Sequence, residues 1–138
     1  MNMQQVRTWR AGEHVVIGLA GELDQFVVPH VRPVLVDAVE ENRPPQVIVD
    51  LREVEFCDSS GLGLLVGAYK RATAAGGSLV LAGAGPRVAD VLSVTGLDRV
   101  LETYHRVEDA AWSYPASSSS EDGRLGQLRR PTPFHRAL

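Results

Sequence analysis

Three short runs constrain this chain more than anything else in it: HVVIGL at 14–19, QVIVDL at 46–51 and SLVLA at 78–82. Each is apolar at almost every position rather than at alternate ones, and β-branched residues are common in the first two. A strand apolar on both sides must be covered on both sides, which is the mark of a parallel sheet. Parallel neighbours cannot be joined by a tight turn, so a crossover has to lie between them. The intervals between the runs are long enough and carry helical periodicity. An α/β layer architecture with right-handed crossovers follows.

The first interval has Val31, Val34, Leu35 and Ala38 at i, i+3, i+4 and i+7, predicting a helix over about 29–42. Pro29 suits its first turn, whereas Pro33 lacks an amide and predicts a kink or a later start. Pro44-Pro45 closes it. The second interval predicts a helix over about 60–75, with Leu62, Leu65, Val66 and Tyr69 on one stripe and Leu64 and Ala68 beside it. Gly76-Gly77 ends that helix. Ahead of the first run, 5–10 reads as a strand joined to 14–20 by the turn Ala11-Gly12-Glu13. Gly21-Glu22-Leu23-Asp24 then leaves the sheet. After the third run come a turn at 83–86, a short helix at 87–95 with Val88, Val91 and Leu92 inward, a shorter strand within 99–104, and a helix from 107 to about 114. The expected result is a small mixed β-sheet with helices packed mainly on one face. From residue 115 the pattern stops, and the Ser-, Pro- and Arg-rich stretch 115–138 reads as a disordered tail behind a single domain at 1–114.

A length of 138 residues suffices for a core without disulfides or metal. Aromatic residues make up only 6%, so that core must be built from Val, Leu, Ile and Ala. The net charge is −3, and the tail carries a local +2, which leaves −5 on the domain. That balance argues against nucleic acid as a partner, which calls for a basic face. Cys57 is the one cysteine, so no internal disulfide forms, and no metal-ligand spacing is present. The N-terminus lacks the apolar stretch of a signal peptide and no run is long enough to cross a bilayer, so a cytoplasmic location is expected. There is no P-loop, and DSSGLG is not the nucleophile elbow G-x-S-x-G. The histidines at 14, 30, 105 and 135 fit no triad pattern, so neither enzymatic activity nor a cofactor is expected.

The stretch VEFCDSSGLG at 54–63 carries the chemistry. A strand that ends in a polar turn and opens a helix presents amides with no intrahelical partner, and with the helix dipole they favour anions. Asp58 or Ser59 serves as N-cap, leaving the other hydroxyl exposed. Gly61 and Gly63 keep the first turn slim enough for a second backbone to approach. Two readings stay open from the residues alone. The serines simply start a helix, or one of them receives a phosphate, which adds about −1.5 to −2 charges and three acceptor oxygens. Nothing local chooses between Ser59 and Ser60.

GELD at 21–24, VIVDL at 47–51, FCDSSGLG at 56–63, GGSLVLAG at 76–83 and VTGLDRVL at 94–101 together resemble a STAS domain of the anti-sigma factor antagonist family. The resemblance covers roughly residues 5–114. It implies a bacterial partner-switching protein whose unphosphorylated form binds an anti-sigma factor and so frees the sigma factor. The anti-sigma factor is also a serine kinase, which uses ATP to phosphorylate the second serine of the DSSG element, Ser60 here. A serine phosphatase reverses the step. The same resemblance puts Asp24 and Asp58 near the kinase-facing surface, with Ser59, Gly61, Leu62 and Gly63 around the acceptor. Asp24 reads equally as a cap of the first helix. The chain departs from the pattern at Cys57, where a bulkier apolar residue is expected, and at Gln25-Phe26-Val27-Val28, where small and hydroxyl residues are more usual. Phe26 is either packed against the core or exposed as an interface anchor. STAS domains also serve in anion transporters, stress-signalling scaffolds and lipid-transport ATPases. A stand-alone adaptor without a phosphoswitch is therefore the alternative function.

Overall fold

In the computed structural model, residues 6–41 and 44–113 are described, and the tail at 115–138 lies outside them. The apolar runs pair side by side as expected. Strand β1 (Val6–Ala11) turns back into β2 (His14–Leu23) as an antiparallel hairpin, with Ala11 opposite His14. Helix α1 (Val28–Glu41) leads to β3 (Gln46–Cys57), and α2 (Ser59–Ala74) leads to β4 (Ser78–Ala82). Helix α3 (Pro86–Val94) and a short 3-10 helix (Leu97–Arg99) precede β5 (Thr103–Tyr104), and α4 (Val107–Ser113) follows. The sheet order is β1-β2-β3-β4-β5, and every pair after the first is parallel.

Both faces of the central strands are covered, which explains their unbroken apolar character. Val15, Ile17, Val49 and Leu81 face α1, α2 and α3 and meet Leu35, Leu65 and Leu92 there. Val16, Ile48, Val80 and Tyr104 face the other way, under Ala110 of α4 and the half-buried Trp9. Gly18 belongs to this second face: a Cβ there would lie 2.8 Å from the Trp9 ring, so glycine is what lets Trp9 lie across the sheet. The Arg7 guanidinium stacks 5.4 Å from the same ring.

Two elements run further than the sequence predicts. Strands β2 and β3 continue to Leu23 and Cys57, so the GEL of GELD and the VEFC before the serines are still paired. The cause is a pair of bulges on β3. Gly18 pairs with Asp50 but Ala20 with Glu53, and Gly21 pairs with Val54 but Glu22 with Phe56. The extra residues break the alternation that marks a strand in sequence. Asp50, 4% exposed, supports the first bulge: its Oδ1 accepts the Arg52 amide at 3.0 Å and its Oδ2 the Arg52 guanidinium at 3.3 Å.

The helices differ in detail. Helix α1 starts at Val28 and runs through Pro33, whose ring is exposed and removes only the bond to the carbonyl of residue 29. The buried stripe of α2 is Gly61, Leu64, Leu65, Ala68 and Ala72, with Leu62, Val66 and Tyr69 only partly covered, so the helix is rotated from the expected face. In α3, Ala89 rather than Val91 joins Val88 and Leu92 in the core. The strand expected within 99–104 shrinks to Thr103–Tyr104.

His14 at the head of β2 is 3% exposed, and its Nε2 has no hydrogen-bond partner among the described residues. Burial holds its pKa below the ordinary 6.5, against the opposing pull of the Ala11 backbone and the Glu13 charge. The folded chain therefore keeps His14 neutral at pH values where the unfolded chain takes up a proton. Stability present at neutral pH is lost as pH falls below about 6.5. The urea midpoint should drop between about pH 7 and pH 5, and His14→Leu should flatten that drop. An unchanged slope in the variant overturns this assignment.

Candidate functional site at the tip of helix α2

The strand ends of β2 and β3 meet where α2 begins. Leu23 pairs with Cys57, and the next residue, Asp58, donates its amide to the Leu23 carbonyl at 3.1 Å. Asp58 is extended, with φ −97° and ψ −169°, and caps α2. Its Oδ1 accepts the Ser60 amide at 2.8 Å and the Gly61 amide at 3.3 Å. Of the two expected candidates the cap is thus Asp58, and both serine side chains are released from that duty. Neither hydroxyl bonds to another described residue. Ser59 is exposed and Ser60 half-buried. Exposure alone favours Ser59, so the assignment to Ser60 comes from the family pattern and not from accessibility.

The two glycines have opposite surroundings. Gly61 is buried, and a Cβ on it would lie 2.7 Å from both the Cys57 Sγ and the Leu23 carbonyl oxygen. Its missing side chain lets α2 seat on the strand ends. Gly63 is exposed, and a Cβ there would meet nothing within 4 Å. Of the expected pair, then, only Gly63 lies open to a second molecule. Leu62 is half-buried against the main core.

Cys57 is 3% exposed. Burial first, and the neighbouring Asp58 charge second, push its thiol up to about 11. Such a sulfur is a small core group, inert as a nucleophile.

Asp24 sits across the seam. Its Oδ1 accepts the amides of Phe26 at 3.0 Å and Val27 at 3.1 Å, and its backbone carbonyl accepts the Val28 amide at 2.9 Å. Of its two expected roles, the structural one is therefore filled: Asp24 ties the turn that launches α1. Phe26, at the crest of that turn, is 74% exposed, so it does not pack into the core.

Asp24 follows Leu23 and Asp58 follows its partner Cys57, so both acids lie at the same end of the sheet as Ser59, Ser60 and Gly63. What this end of the sheet exposes is two carboxylates already engaged with backbone amides, and two hydroxyls with no described hydrogen-bond partner. Among the described residues, no helix is long and apolar enough to cross a membrane.

A parallel-paired sheet with this helix tip defines a class, and comparison with known proteins agrees. The STAS domain family matches residues 5–110. An anti-sigma-B factor antagonist from Listeria monocytogenes is 34% identical over 93 residues, 67% of this chain and 81% of that one. The solved structure of an anti-sigma factor antagonist (STAS) domain protein from Planctomyces limnophilus superposes with a TM-score of 0.71 at 28% identity, covering 79% of this chain and 96% of that one. SpoIIAA, an anti-sigma factor antagonist, is solved unphosphorylated and phosphorylated. Those structures match with TM-scores of 0.62 and 0.57 at 24% identity, covering 90% of this chain and 96% and 99% of theirs. The chain belongs to the STAS domain family, among the anti-sigma factor antagonists, which are binding proteins and not enzymes.

The opposite surroundings of Gly61 and Gly63 predict opposite effects. Gly61→Ala should destabilise the fold by about 1–3 kcal/mol, because the added carbon must displace backbone at Leu23. Gly63→Ala should stabilise it by about 0.5–1 kcal/mol, the usual gain of alanine over glycine in an exposed helix. Denaturant unfolding of both variants checks the pair, and equal signs would refute the reading.

Proposed function

We propose that this protein holds an anti-sigma factor against the tip of α2, and that phosphorylation of Ser60 ends the hold. The unphosphorylated protein captures the anti-sigma factor, and the sigma factor is thereby freed. The anti-sigma factor is itself the serine kinase, it supplies the ATP, and a serine phosphatase resets the switch. The work is done in the cytoplasm, where that ATP is available. The observation that carries this reading is the capped tip. Asp58 takes the capping role, leaving two hydroxyls beside it with no structural task.

Physical magnitudes support a switch that acts on the complex and spares the fold. The first amides of α2 are already bound to the Asp58 carboxylate, so a phosphate on Ser60 gains little from the helix terminus. It also meets the Asp58 charge, and solvent screens that repulsion in the free protein. The isolated domain is therefore nearly indifferent. In a complex the dianion loses solvent, and desolvating it without a counter-charge costs several kcal/mol. About 1.4 kcal/mol is a tenfold change in affinity, so even a fraction of that penalty releases the partner. Ser59, Leu62 and Gly63 form the surrounding contact, with Gly63 open to close approach. Gly61 contributes by seating the helix. Asp24 contributes by setting the neighbouring turn.

Ser60→Ala should abolish phosphate uptake and preserve binding of the anti-sigma factor. Ser60→Asp should leave the unfolding free energy within about 0.5 kcal/mol of wild type and weaken binding at least tenfold. Intact mass after incubation with kinase and ATP, together with titration calorimetry, reads both. Full labelling of Ser60→Ala would refute the site. A complex with wild-type affinity in Ser60→Asp would favour a constitutive adaptor.

A further inference from the structure

We propose that Phe26 is an apolar anchor for the anti-sigma factor, inserted into a recess on that partner when the unphosphorylated protein docks. The proposal rests on the function proposed above, and it adds a contact and a residue that determines which partner is accepted.

Lone apolar residues on a surface are ordinary, so exposure needs support from elsewhere. Phe26 has it in three respects. Aromatic residues are scarce in this chain, 6% in all, yet this one stands 74% exposed. Its backbone is held rigidly. The Phe26 and Val27 amides both end on Asp24 Oδ1, at 3.0 and 3.1 Å, and Val28 closes on the Asp24 carbonyl at 2.9 Å. A side chain with two rotatable angles on a preordered turn loses little freedom on docking, which is what makes aromatic anchors effective.

The third respect is position. Leu23 accepts the Asp58 amide at 3.1 Å and lies against Gly61, so it touches the base of the α2 tip. Phe26 lies three positions after Leu23, and a chain of that length spans at most about 11 Å between Cα atoms. A standard interface covers about 800 Å² on each partner. A molecule seated on Ser60 therefore meets Phe26 within the same footprint. The occupant follows from this continuity. It is the anti-sigma factor, and the chemistry it must offer is an apolar pocket beside the surface that receives the helix tip. Phe56 is also exposed, at 44%, but it pairs with Glu22 on the sheet face opposite the Leu23–Cys57 side chains, so it points away from α1 and α2.

The test uses the full chain and the anti-sigma factor kinases of the same genome, purified one at a time with ADP. Wild type, Phe26→Ala, Phe26→Leu and Val94→Ala are compared, Val94 being an apolar residue of α3 that is 79% exposed. Phe26→Ala should raise the Kd for the anti-sigma factor at least tenfold, about 1.4 kcal/mol. Phe26→Leu should recover part of that, and Val94→Ala should change nothing. In the kinase assay, Phe26→Ala should raise KM for the protein substrate with kcat unchanged, because the anchor lies outside the phosphorylation site. Wild-type affinity in Phe26→Ala, with wild type binding normally, overturns the anchor and leaves the proposed function standing. A variant that changes only self-association in sedimentation overturns it in favour of a second copy of this chain. Failure of wild type to bind any anti-sigma factor overturns both proposals.

Discussion

The place where α2 meets the ends of β2 and β3 governs the rest of the molecule. Two parallel strands finish level with each other, Leu23 beside Cys57, and the chain of β3 turns over the end of β2 by a single backbone hydrogen bond from Asp58. Helix α2 can start there only because Gly61 has no side chain, for any carbon at that position would press on backbone and sulfur. The consequence is geometric. The first turn of α2 is held against the sheet edge, two of its amides are satisfied by one carboxylate, and the adjacent hydroxyls, one exposed and one half-buried, are left without a described partner. A group transferred to such a hydroxyl alters a surface whose support does not yield.

Asp24 and Asp58 make the same point in duplicate. Each is an acidic residue at the exit of a strand, and each uses one carboxylate oxygen to bind two amides just downstream, Asp24 in the turn before α1 and Asp58 in the first turn of α2. The two turns stand side by side because their strands are neighbours in the sheet. The negative charge at this end of the sheet is thus a by-product of how the two turns are tied. Both carboxylates are held in fixed orientation by those amides.

Most of the architecture was legible because its signals are local. The runs at 14–19, 46–51 and 78–82 announced covered strands, and the heptad-like spacing of Val31, Leu35 and Ala38 announced α1. What escaped was what depends on contact. The bulges that lengthen β3 to Cys57 disguise its alternation, and they arise from pairing with β2. The rotation of α2 toward Leu64 and Ala68 reflects the sheet it lies on, whereas its own apolar residues surround much of the helix. Gly76-Gly77 reads as a helix stop. A Cβ on Gly77 would also collide with the Pro45 carbonyl, a crossing of two distant loops that no local pattern encodes.

The linear order of residues was enough to establish the layered α/β class, the motif at the head of α2 and the family kinship, because periodicity, turn chemistry and motif spacing are properties of neighbours along the chain. It could not separate Asp58 from Ser59 as the cap, the inward Gly61 from the outward Gly63, or a packed Phe26 from an exposed one. Each of those distinctions turns on which atoms from remote segments, Leu23 above all, come within a few ångströms. That proximity comes into being only when the strands are laid side by side.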